Sequence, residues 1–125
     1  MSTNPVAWFE IYVQDMSRAL RFYESVLQVK LTQLNAPLSE LQMWSFPSNM
    51  EGYGAGGTLV KLDGCPSGGS GTLVYFHSED CSIEEGRVIA AGGQIHRSKM
   101  SIGEFGFISL AYDTEGNMFG LHSYK

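Results

Sequence analysis

The sequence has no concentration of basic side chains. Its 8 Lys and Arg are scattered among 13 Asp and Glu, for a net charge of −5. A nucleic-acid or anionic-membrane surface needs the opposite, a positive patch, so neither partner is expected. No apolar run approaches the roughly 20 residues that cross a bilayer as a helix. Residues 1–4 lack the basic and apolar stretches of a signal peptide, which points to a cytoplasmic protein. Cysteine is scarce as well. Cys65 and Cys81 are the two present, and neither has the CxxC neighbour of a zinc or redox motif, so free thiols are expected. The glycine-rich stretches Gly52–Gly57 and Gly103–Gly106 do not follow a strand with GxGxxG or GxxxxGK spacing. No serine sits in GxSxG. Phosphate cradles and nucleophile elbows are therefore excluded, and these stretches read as loops or lids.

What is present is enough for one domain. At 125 residues, 43% of them hydrophobic and 17% charged, the chain buries about two-thirds of its unfolded surface. Val6–Val13 alternates Phe9, Ile11 and Val13 on one face with Trp8, Glu10 and Tyr12 on the other. The first face suits a helix; the second suits a cavity wall. Asp15 is an N-cap, and Met16, Ala19, Leu20, Tyr23, Val26 and Leu27 follow at amphipathic helical spacing, with the helix stopping near Gln28. Strands are expected at Val29–Asn35, Leu41–Phe46 and Thr58–Leu62, with a break at Ala36–Pro37 and a loop at Pro47–Gly57.

The pattern then recurs. Thr72–His77 is a strand, Asp80 caps a second helix closed by Gly92–Gly93, and strands follow at Gln94–Lys99, Phe107–Tyr112 and Met118–Ser123. Asp80 lies 65 positions after Asp15. Repetition at that period implies two β-α-β-β-β modules, the first at about 5–63, a linker at 64–71 and the second at about 72–124. Each module has one helix for two sheet faces. The fold class expected is α+β, two βαβββ modules in a curved mixed sheet around a cavity, within a single domain of residues 1–125.

WFEIYVQDMSRALRFYESVL and the closing DTEGNMFGL resemble the vicinal oxygen chelate superfamily, which includes glyoxalase I, bleomycin-resistance proteins and extradiol dioxygenases. The similarity runs from Val6 to Leu121 and is greatest to glyoxalase-related proteins of unassigned activity. It implies a homodimer and, in the catalytic members, a divalent ion held by one side chain from the first and one from the last strand of each module. Carried onto this sequence, the ligand positions fall at Trp8, Leu73, Gly120 and near Gly57–Leu59. None offers the nitrogen or oxygen donors such an ion requires. No cofactor is therefore expected, and whether the chain is an enzyme stays open.

The expected function is the binding of a small organic molecule without the metal, by Trp8, Glu10, Tyr12, Tyr75, His77 and His122, with Met43 and Met118 adding thioether surface. Glu10 reads either as a general base or ligand anchor, or as a carboxylate paired with Lys61 or a tyrosine hydroxyl. His77 and His122 read as rim histidines making one hydrogen bond each, and His96 as a surface residue. Two alternatives remain. One is a metal-dependent lyase, isomerase or dioxygenase with a displaced site at Glu10, His77 and His122. The other is a drug-sequestering resistance protein.

Overall fold

A computed structural model describes residues 4–36, 40–49, 51, 54–69 and 71–125. The expected break at Pro37 and the start of the glycine-rich stretch at Gly52 lie outside the described residues. Among the described residues there are eight strands and two α-helices, and the order is βαβββ twice. The first module holds β1 (Val6–Tyr12), α1 (Met16–Leu27), β2 (Thr32–Leu34), β3 (Gln42–Ser45) and β4 (Gly56–Lys61). The second holds β5 (Thr72–His77), α2 (Cys81–Val88), β6 (Gln94–Ser101), a 3-10 turn at Gly103–Phe105, β7 (Phe107–Tyr112) and β8 (Met118–Ser123). Each module is a mixed sheet. In the first the strand order is β2-β3-β4-β1, with β1 and β4 parallel and the other pairs antiparallel. The second repeats it as β6-β7-β8-β5, with β5 and β8 parallel.

Contacts divide the chain into residues 8–72 and a second unit of residues 73–125 joined by the segment before Trp8. Backbone pairing explains both ends of this division. The Pro5 carbonyl accepts from the His77 N–H at 2.8 Å, whereas the Gly71 carbonyl accepts from the Tyr12 N–H at 2.6 Å. The residue before β1 thus bonds to the second repeat, and the last residue of the expected linker bonds to the first.

The helices form where the capping chemistry places them. Asp15 accepts from the Arg18 N–H at 3.0 Å and Asp80 from the Ser82 N–H at 3.0 Å, each satisfying an amide the first turn leaves open. α1 buries Met16 with Val13, Leu31 and Leu59, and Ile11, Ala19, Leu20, Tyr23, Trp44 and Phe46 pack around them. It ends at Gln28, which adopts left-handed φ (54°) without being glycine while its amide donates to the Ser25 carbonyl. α2 is shorter than expected, regular only to Val88. Past that point the chain keeps turning. Gly93 donates to the Val88 carbonyl at 2.9 Å, and Gly92 takes φ 103°, a Schellman closure at the glycine pair.

Several strand boundaries move by a residue or more, β6 running on to Ser101, and two of the shifts have a visible cause. β2 is confined to Thr32–Leu34, because Leu31 turns inward to the α1 core and its N–H goes to the Glu24 carboxylate at 2.8 Å. β4 begins at Gly56 rather than Thr58. Gly56 and Gly57 stand in register with Trp8 and Phe9, and a Cβ on either glycine would press into the facing ring, 2.9 Å from Trp8 Cζ3 and 2.5 Å from three Phe9 ring atoms. Glycine here is a strand residue whose missing side chain is replaced by its neighbour's aromatic ring.

Candidate functional site

Alternation and register together assign the face of each module that its helix leaves uncovered. In the first, Leu59 and Ile11 face α1, so Trp8, Glu10 and Tyr12 of β1, Gly56, Thr58 and Val60 of β4, and Met43 and Ser45 of β3 lie on the opposite side. Ser45 pairs with Thr58 and Thr58 with Glu10, making one polar row across three strands. Lys61 falls on the helix side and is not Glu10's neighbour across the sheet. The Tyr12 hydroxyl donates to Glu10 Oε1 at 2.6 Å, the tyrosine partnership that was one of the two structural options for this carboxylate. At the far end of the row, Ser45 Oγ donates to the Phe46 carbonyl at 2.8 Å. Between them Thr58 is fully buried, and its hydroxyl has no hydrogen-bond partner among the described residues. A buried hydroxyl left so costs about 1–3 kcal/mol. Periodicity did not single Thr58 out, since a lone threonine in a Gly-Gly-Thr-Leu-Val strand carries no signal of what its hydroxyl meets.

In the second module the uncovered face carries Leu73, Tyr75 and His77 of β5 with Gly120 and His122 of β8. Tyr75 and Gly120 are register partners, and a Cβ on Gly120 would overlap the Tyr75 ring. His77 and His122 are also register partners. His77 is exposed. His122 is half-buried, with Nε2 2.6 Å from the Phe105 carbonyl and its ring edge-on to Tyr124 at 4.8 Å. A carbonyl oxygen only accepts, so Nε2 carries the proton. His96 is exposed and packs edge-on against Tyr112 at 5.5 Å. Cys65 and Cys81 are free thiols.

The two modules fill equivalent register positions in opposite ways. Where the first pairs a carboxylate with a hydroxyl (Glu10 and Thr58), the second pairs a ring with a glycine (Tyr75 and Gly120). This decides the fit to a metal. The register narrows the last position implied by the resemblance to Thr58, so module one offers an indole and a neutral hydroxyl at Trp8 and Thr58, and module two a buried aliphatic and a glycine under a tyrosine ring at Leu73 and Gly120. A divalent ion has no set of donors there. Among the described residues no three His, Cys, Asp or Glu side chains are grouped to hold a metal ion. Two shallow grooves of about 300 and 310 Å³ flank α1 on the helix side, and neither is lined by a site residue named above.

No described helix is long and apolar enough to cross a membrane. By sequence the chain matches no family model and no curated protein. By structure it matches over nearly its whole length. A hypothetical protein from Bacillus halodurans superposes with a TM-score of 0.74 at 13% identity, over 99% of this chain and 96% of that one. Methylmalonyl-CoA epimerase from Mycobacterium tuberculosis gives 0.70 at 14%, over 97% and 88%. The Streptomyces coelicolor epimerase, in complex with 2-nitronate-propionyl-CoA, gives 0.67 at 12%, over 98% of both chains. Two βαβββ modules in this arrangement of strands make the chain a protein of the glyoxalase-like, vicinal oxygen chelate fold.

Proposed function

We propose that this protein binds a small organic molecule on the helix-free face of its first module, without the divalent ion that catalytic relatives of the fold employ. The supporting observation is the Glu10–Tyr12 pair. A carboxylate held by a phenol at 2.6 Å sits on a strand face that carries Trp8, Met43 and Val60 beside the hydroxyls of Ser45 and Thr58. Polar groups on an apolar wall orient a ligand, while aromatic surface supplies most of its affinity. On the second module Tyr75, His77 and His122 extend the same reading, with the Tyr75 ring as a floor and the histidines at its edge.

Trp8 is the reporter. Trp44 packs against the α1 core, so a Trp44→Phe variant leaves a single indole on the proposed face. In that variant, planar aromatic compounds are expected to quench fluorescence and raise the melting temperature as RT ln(1 + [L]/Kd). Nickel, zinc, manganese and ferrous ions are expected to leave it unchanged. A flat response to every organic compound, together with stoichiometric metal in the purified protein, would overturn the proposal.

A further inference from the structure

The groove of about 310 Å³ on the helix side of the first module takes no part in the binding reading above. Tyr23 and Leu27 of α1, Val29 just past that helix, Phe9 of β1 and Phe46 after β3 are among its walls, and none of the described residues lining it is charged. Three of these walls are aromatic rings in one run. The Phe9 ring centre lies 5.6 Å from that of Phe46 at a 42° tilt, and Tyr23 meets Phe46 almost perpendicularly, at 86° and 5.7 Å. Phe9 is pinned, since its ring fills the space over Gly57. The groove also borders the C-terminal end of α1, whose last carbonyls carry partial negative charge. In the second module the matching end is neutralised from within: Arg87 stands in the last turn of α2, and Gly93 donates to the Val88 carbonyl. The first module has no such closure. The last turn of α1 holds no basic residue, and what reaches back to it is a neutral amide, the Gln28 side chain on the Ser25 carbonyl. Of the charges close by in sequence, Glu24 accepts from the Leu31 N–H and Lys30 is exposed, and neither lines the groove.

We infer that this groove takes a small quaternary ammonium group, its methyls against the rings of Phe9, Tyr23 and Phe46 and its charge toward the open end of α1. Ring faces attract a cation placed within about 6 Å of their centres, and helix C-termini favour positive charge. An anion would meet ring faces and carbonyls of its own sign. A neutral apolar guest would use the rings and gain nothing from the helix end. The net charge of −5 also draws cations to the protein.

The test compares choline with 3,3-dimethylbutanol, which has the same shape with carbon in place of the charged nitrogen. In titrations followed by NMR chemical shifts at constant chloride, choline is expected to bind about tenfold more tightly, the weight of a cation–π contact. Leu27, 53% exposed at the groove's rim, allows a charge test. Leu27→Lys should weaken choline about tenfold and leave the neutral alcohol's affinity unchanged. A lysine suits a helix C-terminus, so this variant should melt within about 3 °C of the wild type. Phe46→Leu keeps an apolar side chain but removes the central ring, and should bring the two affinities together. Equal binding of both compounds by the wild-type chain would overturn the inference. So would choline binding that ignores Leu27→Lys, or no choline binding at all. Each of those results leaves the proposed function standing, because Trp8 in the Trp44→Phe variant reports on the opposite face of the sheet.

Discussion

Gly120 lies mid-strand in β8, where a glycine has no side chain to pack and its flexibility weakens the sheet. Its neighbour removes the deficit. The Tyr75 ring lies across the glycine so closely that a methyl group there would overlap it. Gly120→Ala is therefore expected to destabilise the protein by about 1–3 kcal/mol in urea denaturation, an overpacking loss. Combined with Tyr75→Leu it should cost less than the two single changes added together, because the clash has lost its second partner. The same geometry shows what could be read from residues and what could not. Alternation groups Trp8, Glu10 and Tyr12 on one strand face and Tyr75 and His77 on another, and the register sets His122 beside His77. It could not show that Tyr75 and Trp8 are laid over glycines, nor that Thr58 is an orphan. Those facts depend on which residue of a distant strand stands opposite, and register over 45 positions leaves no local signature.

At the scale of the element, α2 depends on its cap more than α1 does. It is 8 residues long, contains Gly86, and exposes Ile83. Short helices are marginal without such support. Asp80 supplies it, accepting from the Ser82 N–H and hydroxyl, while Lys99 of β6 donates to the same carboxylate at 2.9 Å. Lys99 also lies 4.8 Å from the Phe107 ring centre, which holds the ammonium in place. The Lys99 hydrogen bond, followed by the two from Ser82, lowers the Asp80 carboxyl from 3.8 to about 2. Asp113 is lowered as well, chiefly by the Asn117 N–H and side chain. A carboxyl lowered by folding adds stability above its unfolded value and loses it on acidification. The melting temperature should therefore hold from pH 7 to about 4.5 and fall between about 4 and 2. In Asp80→Asn it should be lower at neutral pH and fall less steeply over that acid range. Parallel acid slopes for the two proteins would show that the cap carries none of the effect. The caps were legible because Asp followed by helical spacing is a local pattern. The early end of regular helix at Val88 was not, since the glycine-closed turns beyond it follow the same residues.

For the molecule as a whole, the repeat was the strongest signal in the sequence, and it rests on particular residues: Asp15 and Asp80 cap corresponding helices, and both repeats close a sheet of the same strand order. The metal-free reading came by subtraction, from a tryptophan, a leucine and a glycine at the positions where the resemblance would put donors. The exchange of segments between repeats was hidden, because backbone hydrogen bonds leave no mark on side-chain pattern. Yet it governs how the protein can be cut. A break after Ser70 would look harmless, but a C-terminal fragment starting at 71 would lack Pro5, the acceptor for its own His77 N–H, and the other piece would lack the Gly71 carbonyl for Tyr12. Such halves should refold poorly apart and recover when mixed, a complementation that circular dichroism would follow.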